Sequence, residues 1–458
     1  MRGAVVYSTT EDRAKAVRSI LETRYGFAFS ILKYDAVDKV SLWDLEYIAA
    51  EWDLKDKLLM PLMTAAEQLK IAFYNETFIV DIDESSELEP VLQDALKDRN
   101  YRLCKSINDF YRFGDIIRKR SVLRTMPKDL QIETTDLCNA KCIMCSHAYN
   151  TGSGVNIMES GLIEKIEPIL PFVSTIILHG NGEPLIVKNL ESYLNRLSEY
   201  GVKFITNTNL SYVSDDIIKL LNEDFLELNI SCDGYDKTTY EYVRRGLDFD
   251  VFTVNCKKVR KKCPNLKMKM AVVIMRQNLE YLHKITEFAY ELGFDELVFN
   301  QLCTDERLGN AEDDPFLYKE EYIRAIRKTC KTAERLGISV KTPNLSFEQN
   351  ENDRFNTINR PAFTFHGICD WLVEKAFINL RGDLAICCIN QNYIMGNVFE
   401  QSIKEIWNCD RYRELREEFY AGRIIPVCAG CDFILQSRLK FIHVENDINY
   451  KQLKKNHR

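Results

Sequence analysis

The chain contains no apolar run approaching the roughly 18 residues that a membrane-spanning helix needs. Its densest stretch, residues 58–63, is interrupted by Pro61, so no transmembrane segment is expected. The opening MRGAVVYSTTEDR has only a brief apolar run before charges return, too short for a signal-peptide core, and a cytoplasmic location is the expectation. Positive charge is not in excess: 61 Lys and Arg stand against 68 Asp and Glu, interleaved along the chain, for a net charge of -7. Such a balance offers no broad cationic surface, which disfavours nucleic acid and anionic lipid as partners. No glycine pattern of the phosphate-cradling kind follows the first strand-like segment, and there is neither a repeat nor a low-complexity tract.

Against these absences stand fifteen cysteines. Without an export signal they argue for metal or redox chemistry rather than a disulfide framework. Cys104, Cys232, Cys256, Cys263, Cys303, Cys330 and Cys409 are scattered and read as small buried hydrophobes. Cys138, Cys142 and Cys145 form one group; Cys369, Cys387, Cys388, Cys428 and Cys431 form another.

A length of 458 residues suggests several domains, and 46% apolar with 28% charged residues is ordinary globular composition. Residues 1–120 read as an α/β unit: strand-like AVVYS, helical DRAKAVRSILETR, then FSILKY, IAFYN, FIVDI and a helix over 88–97, with Ser86 and Glu89 suited to a capping box. From 125 to 345, apolar strands LQIETT, STIILHG, KFITNT, LELNIS, KMKMAVVIM and ELVFN alternate with helical stretches. That α/β alternation predicts a parallel sheet closed into a partial (β/α)6 TIM-like barrel, with its chemistry at the carboxyl ends of the strands. A small cysteine-rich unit over 362–440 and a basic tail over 441–458 complete the chain.

The C-x3-C-x2-C run places three soft thiolates on the loop after the first barrel strand. Thiolates select iron-sulfur clusters, zinc or Cu(I). Three ligands would leave one iron of a cubane cluster open, whereas a structural zinc site would recruit a fourth ligand such as His147. In the second group, AFINL and LAICC flank an Arg381-Gly382-Asp383 turn, so a hairpin presents Cys387, and adjacent Cys388 points to the opposite face. Cys369, Cys387, Cys428 and Cys431 make a complete shell for either zinc or a [4Fe-4S] cluster.

CNAKCIMC after a strand resembles the signature of the radical S-adenosylmethionine (SAM) superfamily. HGNGEPL at 179–185 is similar to its GGEP motif with Asn181 in place of the first glycine, Asn207-Thr208-Asn209 to its TTN(G) with Leu210 in place of the glycine, and ISCDG with YEYVRRG to its ISxDG and YxxxR patterns. The resemblance implies a [4Fe-4S] cluster on Cys138, Cys142 and Cys145 with one open iron that chelates SAM. It also implies SAM contacts at Gly182 and Glu183 for the amino group, Asn209, Ser231 for the ribose, Arg244 for the carboxylate and Met144 near the adenine. The C-terminal cysteines with GNVFEQSIKEIWN and CAGC resemble a short SPASM domain, which implies one auxiliary [4Fe-4S] cluster on Cys369, Cys387, Cys428 and Cys431. The activity implied is reductive cleavage of SAM and oxidation or epimerisation of a sugar or cyclitol-like small molecule, with flavodoxin or ferredoxin as electron donor. A peptide-modifying maturase is the second enzymatic expectation, and a zinc-binding scaffold the non-enzymatic one.

Overall fold

A computed structural model describes strands Ala4–Val6 (β1) and Phe29–Ile31 (β2) and, with short interruptions, residues 88–342 and 369–431. The helix expected in DRAKAVRSILETR, the strands IAFYN and FIVDI, Ser86 of the capping box and the tail 441–458 lie outside the described residues. β1 and β2 pair in parallel. Helix α1 (Leu88–Lys97) leads to α2 (Tyr101–Ile117). Although α2 falls within 1–120, it is bonded to both later parts of the chain: Asn108 exchanges two 2.9 Å hydrogen bonds with the backbone of Met126, and Arg112 pairs with Glu374 at 3.2 Å.

All six expected barrel strands form: β3 (Asp129–Ile132), β4 (Thr175–Ile177), β5 (Lys203–Thr208), β6 (Phe225–Ser231), β7 (Lys267–Ile274) and β8 (Glu296–Gln301), extended by β9 (Ser339–Lys341). They lie side by side in sequence order, every pair parallel. Helices cross between them: α3 (Leu162–Ile166), α4 (Leu190–Ser198), α5 (Asp215–Glu223), α6 (Lys237–Val243), α7 (Phe249–Lys262), α8 (Leu282–Glu291) and α9 (Lys319–Leu336). Local sequence sets their ends. Ser214 and Asp248 cap α5 and α7, Asp236 and Thr239 form a capping box on α6, and Gly337 ends α9 in the left-handed conformation at φ 72.

Alternation decides which face is buried. In β7, Met268, Met270, Val272 and Ile274 are buried, while Lys269, Ala271 and Val273 between them are half-buried on the opposite face. Of the scattered cysteines, Cys104, Cys232, Cys256 and Cys263 are buried as expected. Cys303 and Cys330 are exposed and correct that expectation, because the first follows β8 in a loop and the second faces outward from α9.

The C-terminal unit continues the same sheet. β10 (Lys375–Ile378) pairs in parallel with β3, and β11 (Asp383–Ala385) and β12 (Ile394–Asn397) extend it antiparallel, giving the order β12-β11-β10-β3-β4-β5-β6-β7-β8-β9. The β10–β11 turn needs Gly382, which sits at φ +79 with the Phe399 ring where a Cβ would go. Helices α10 (Asp370–Val373), α11 (Ile403–Trp407) and α12 (Asp410–Tyr420) pack around it.

Arg416 of α12 locks this arrangement. Its fully buried guanidinium donates to the carbonyls of Leu372 at 2.7 Å, Trp407 at 2.7 Å and Ser121 at 2.9 Å, and lies over the Trp407 and Tyr412 rings. Burial lowers its pKa to about 10, so it remains charged near neutrality. Replacing it strands buried carbonyls. Arg416→Met is expected to cost roughly 3 kcal/mol, read as a lowered thermal midpoint; an unchanged midpoint would contradict this role.

Candidate functional site

Because β3 to β6 run parallel, the loops after them emerge at one end of the sheet, where they bond to one another. The cysteine loop is held from three sides. From the β4 side, Gly182 N donates to Thr135 O at 3.1 Å and Glu183 N to Leu137 O at 2.8 Å. From the β5 side, Asn209 Nδ2 donates to Asn139 Oδ1 at 2.9 Å, and Asn139 Nδ2 to Ser211 Oγ at 2.7 Å. From the β6 side, the amides of Lys141 and Ile143 donate to the carbonyls of Arg245 at 2.7 Å and Val243 at 3.0 Å. A Cβ at Gly182 would overlap the Leu137 carbonyl, so the close approach requires glycine there.

Cys138, Cys142 and Cys145 share one loop and lie near enough for the first and last to act electrostatically on Cys142, although among the described residues no three ligating side chains stand at metal-binding distance. Cys142 is buried, Cys145 half-buried and Cys138 exposed. Burial pushes the Cys142 thiol up to about 11, nearby Arg244 opposes this, and the Cys145 and Cys138 charges add to it. Arg244 Nη1 lies 3.8 Å from Cys142 Sγ and Nη2 pairs with buried Asp233 at 2.7 Å, so a fixed cation faces the Cys142 thiol. Such a charge offsets that of thiolates bound to iron. Asp233 belongs to the ISCDG motif, which gave it no role of its own; its carboxylate holds Arg244 in place and also accepts from Val273 N at 2.7 Å.

Glu183 is 3% exposed. Its Oε1 accepts from Leu185 N at 3.1 Å and Thr208 Oγ1 at 2.6 Å, and its Oε2 from Asn209 N at 2.6 Å, which clasps the β4 loop to the end of β5. Asn209 is buried within this clasp. Ser231 ends β6, half-buried, and Met144 packs against Val243, Met275 and Leu302. Leu210, in the glycine place of the motif, adopts φ +52 while fully buried. A non-glycine residue there is strained, and burial of the leucine offsets the strain.

The second cysteine group converges as well. Cys369, Cys387, Cys428 and Cys431 line one cavity of about 60 Å³ together with Asp370, Trp371, Lys375 and Asn390; Cys388 is not among its lining residues. Burial raises the thiols of Cys369, Cys387 and Cys428, the last to about 12. Asn390 N donates to Cys387 Sγ at 3.3 Å. Four thiols lining one cavity are the donor number that either a [4Fe-4S] cluster or a zinc ion accepts.

Residues 132–289 match the model of the radical SAM superfamily, and residues 369–432 match SPASM, an iron-sulfur cluster-binding domain. The chain thus carries a radical SAM domain over 132–289 and a SPASM domain over 369–432, domains that imply a [4Fe-4S] cluster with SAM and auxiliary cluster binding. A curated relative, the probable GTP 3',8-cyclase of Sulfolobus acidocaldarius, is 26% identical over 37% of this chain and 54% of its own length, so the chain spans about half the length of that relative. Among solved structures, Streptococcus suis SuiB is similar at a TM-score of 0.54 and 16% identity, covering 83% of each chain. Native anSMEcpe with bound AdoMet and Cp18Cys peptide is similar at 0.50 and 17%, covering 72% of this chain and 98% of that one.

Leu210 gives a direct test of the loop geometry. Leu210→Gly and Leu210→Ala both lose the buried side chain, yet the glycine variant is expected to be the more stable by about 1 kcal/mol, because it alone adopts positive φ without strain. Denaturant unfolding of the two variants checks this; an alanine variant at least as stable as the glycine variant would contradict it.

Proposed function

We propose that this chain is an enzyme that reductively cleaves SAM and uses the radical so formed to abstract a hydrogen atom from a substrate. The observation that carries this reading is the convergence of the three-cysteine loop with the loops after β4, β5 and β6 through direct hydrogen bonds. When bound, the cluster supplies the electron that splits SAM into methionine and a 5'-deoxyadenosyl radical. A flavodoxin or ferredoxin is the donor class proposed to deliver that electron.

The protein's own groups position and insulate. Cys138, Cys142 and Cys145 would hold the cluster, and Arg244, proposed to meet the SAM carboxylate, is held by Asp233 with its charge against Cys142. Among the described residues Glu183 Oε2 accepts from Asn209 N alone, and its second lone pair is proposed to accept from the SAM ammonium. Gly182 lets the backbone approach, Asn209 braces the loop, Ser231 is proposed to meet the ribose, and Met144 supplies an apolar surface near the adenine. Cys369, Cys387, Cys428 and Cys431 would hold the auxiliary cluster.

The lumen supports a neutral, hydrogen-bonding substrate. Asn207 pairs in register with Asn229, and Asn229 with Lys269, so one polar residue per strand lies in a row. Lys269 is itself paired with Glu227 and Glu296. Carboxamides in such a row suit hydroxyl or amide groups, and the primary reading is oxidation or epimerisation of a sugar or cyclitol-like small molecule. The fold shared with anSMEcpe, solved with a peptide bound, favours a peptide substrate as the second reading.

Cys142→Ala is expected to abolish 5'-deoxyadenosine formation while leaving the C-terminal metal in place. Cys428→Ala should lose metal from the C-terminal site and retain SAM cleavage uncoupled from substrate turnover. Chromatographic assay of 5'-deoxyadenosine beside metal analysis checks both; formation at the original rate in Cys142→Ala would overturn the assignment.

A further inference from the structure

Asn181 stands where the motif has glycine, and the structure gives it a partner. Its backbone N donates to Glu133 Oε1 at 3.2 Å and its Nδ2 to the same oxygen at 2.9 Å. Two residues earlier on β3, Gln131 Nε2 donates to His179 O at 2.9 Å. Side chains two apart on a strand share a face, so Gln131 and Glu133 together grip residues 179–181. Gly180 between them is shaped to the same grip, since a Cβ there would overlap the Glu133 side chain. Glu133 is also fixed from the C-terminal hairpin: its N donates to Ile378 O at 2.9 Å, and its Oε2 accepts from Leu380 N at 3.4 Å. It is 5% exposed, and burial raises its pKa against the opposing pull of these donors. A buried carboxylate meeting three amide-type donors from two chain segments holds its partners in a defined geometry.

We propose that Glu133 is a positioning residue for SAM, which fixes the 180–183 loop through Asn181 and registers that loop against the β10–β11 hairpin. The inference rests on the proposed function, in which that loop meets SAM. Glu133 touches no cofactor; it acts through the backbone of the loop, and Asn181 supplies by its side chain a bond that glycine could not make. The sequence alone does not mark Glu133, because IETT reads as the end of a strand and the partner lies 48 residues away.

The test uses the full chain with reconstituted clusters and SAM as the probe, reading SAM affinity from the SAM-dependent change in the electron paramagnetic resonance (EPR) signal, with iron content as a control for folding. Asn181→Asp sets two carboxylates against each other and is expected to weaken SAM binding about ten-fold at unchanged iron content, a change of about 1.4 kcal/mol in binding free energy. Asn181→Gly, which removes only the side-chain bond, should weaken it by roughly three-fold. Combining Asn181→Asp with Glu133→Gln restores a donor and an acceptor in swapped order and should recover most of the affinity, which a merely structural loss would not do. Equal affinity in the parent and all three variants would overturn the inference while leaving the proposed function standing. A parent protein whose signal ignores SAM would instead overturn the proposed function, and this inference with it.

Discussion

The parallel register of β3 to β6 is the constraint on which the site depends. Each strand pairs with the next without reversal, Asp129 with Thr175, Thr175 with Lys203 and Asn207 with Asn229, so four loops leave the sheet at the same end. A slip of one residue in any pair would exchange its lumen-facing and helix-facing side chains. Buried Leu228 and Ile230 in β6 hold that register on the helix side, leaving Asn229 and Ser231 on the other face. The three cysteines, the Glu183 clasp and the Asp233–Arg244 pair all depend on it.

The second consequence is mechanical. β10 pairs with β3, the strand that leads to the three-cysteine loop, so the cavity lined by Cys369, Cys387, Cys428 and Cys431 and the three-cysteine loop are built on one continuous sheet. Arg416 adds a buried fastening through Ser121, Leu372 and Trp407. A frame of this kind keeps the two cysteine sites at a fixed relative placement.

Much of this was legible in the sequence. The six strands have period-two or continuously apolar patterns, and the motifs come after them in order, so both fold class and the cysteine groups could be read directly. Strand alternation allows only one of Cys387 and Cys388 to face the site, the distance from Gly382 selects Cys387, and the cavity is lined by Cys387. What escaped was non-local or conformational. Pairing of β10 with β3 joins Lys375 to Asp129, far apart in the chain. Glu133, Asp233 and Arg416 act on partners that no local pattern identifies. Leu210 shows only its unexpected identity in the sequence; its positive φ emerges from the chain's geometry. The exposure of Cys303 and Cys330 likewise depends on their outward placement, which residue type does not encode.

The most direct test of the central claim is anaerobic iron, sulfide and zinc analysis of the reconstituted full chain, with EPR spectra of the reduced protein recorded with and without SAM. The account predicts about eight irons per chain and a reduced signal that changes when SAM is added, as expected for two [4Fe-4S] clusters of which one has an open iron. Zinc without iron, or an iron signal indifferent to SAM, would contradict it.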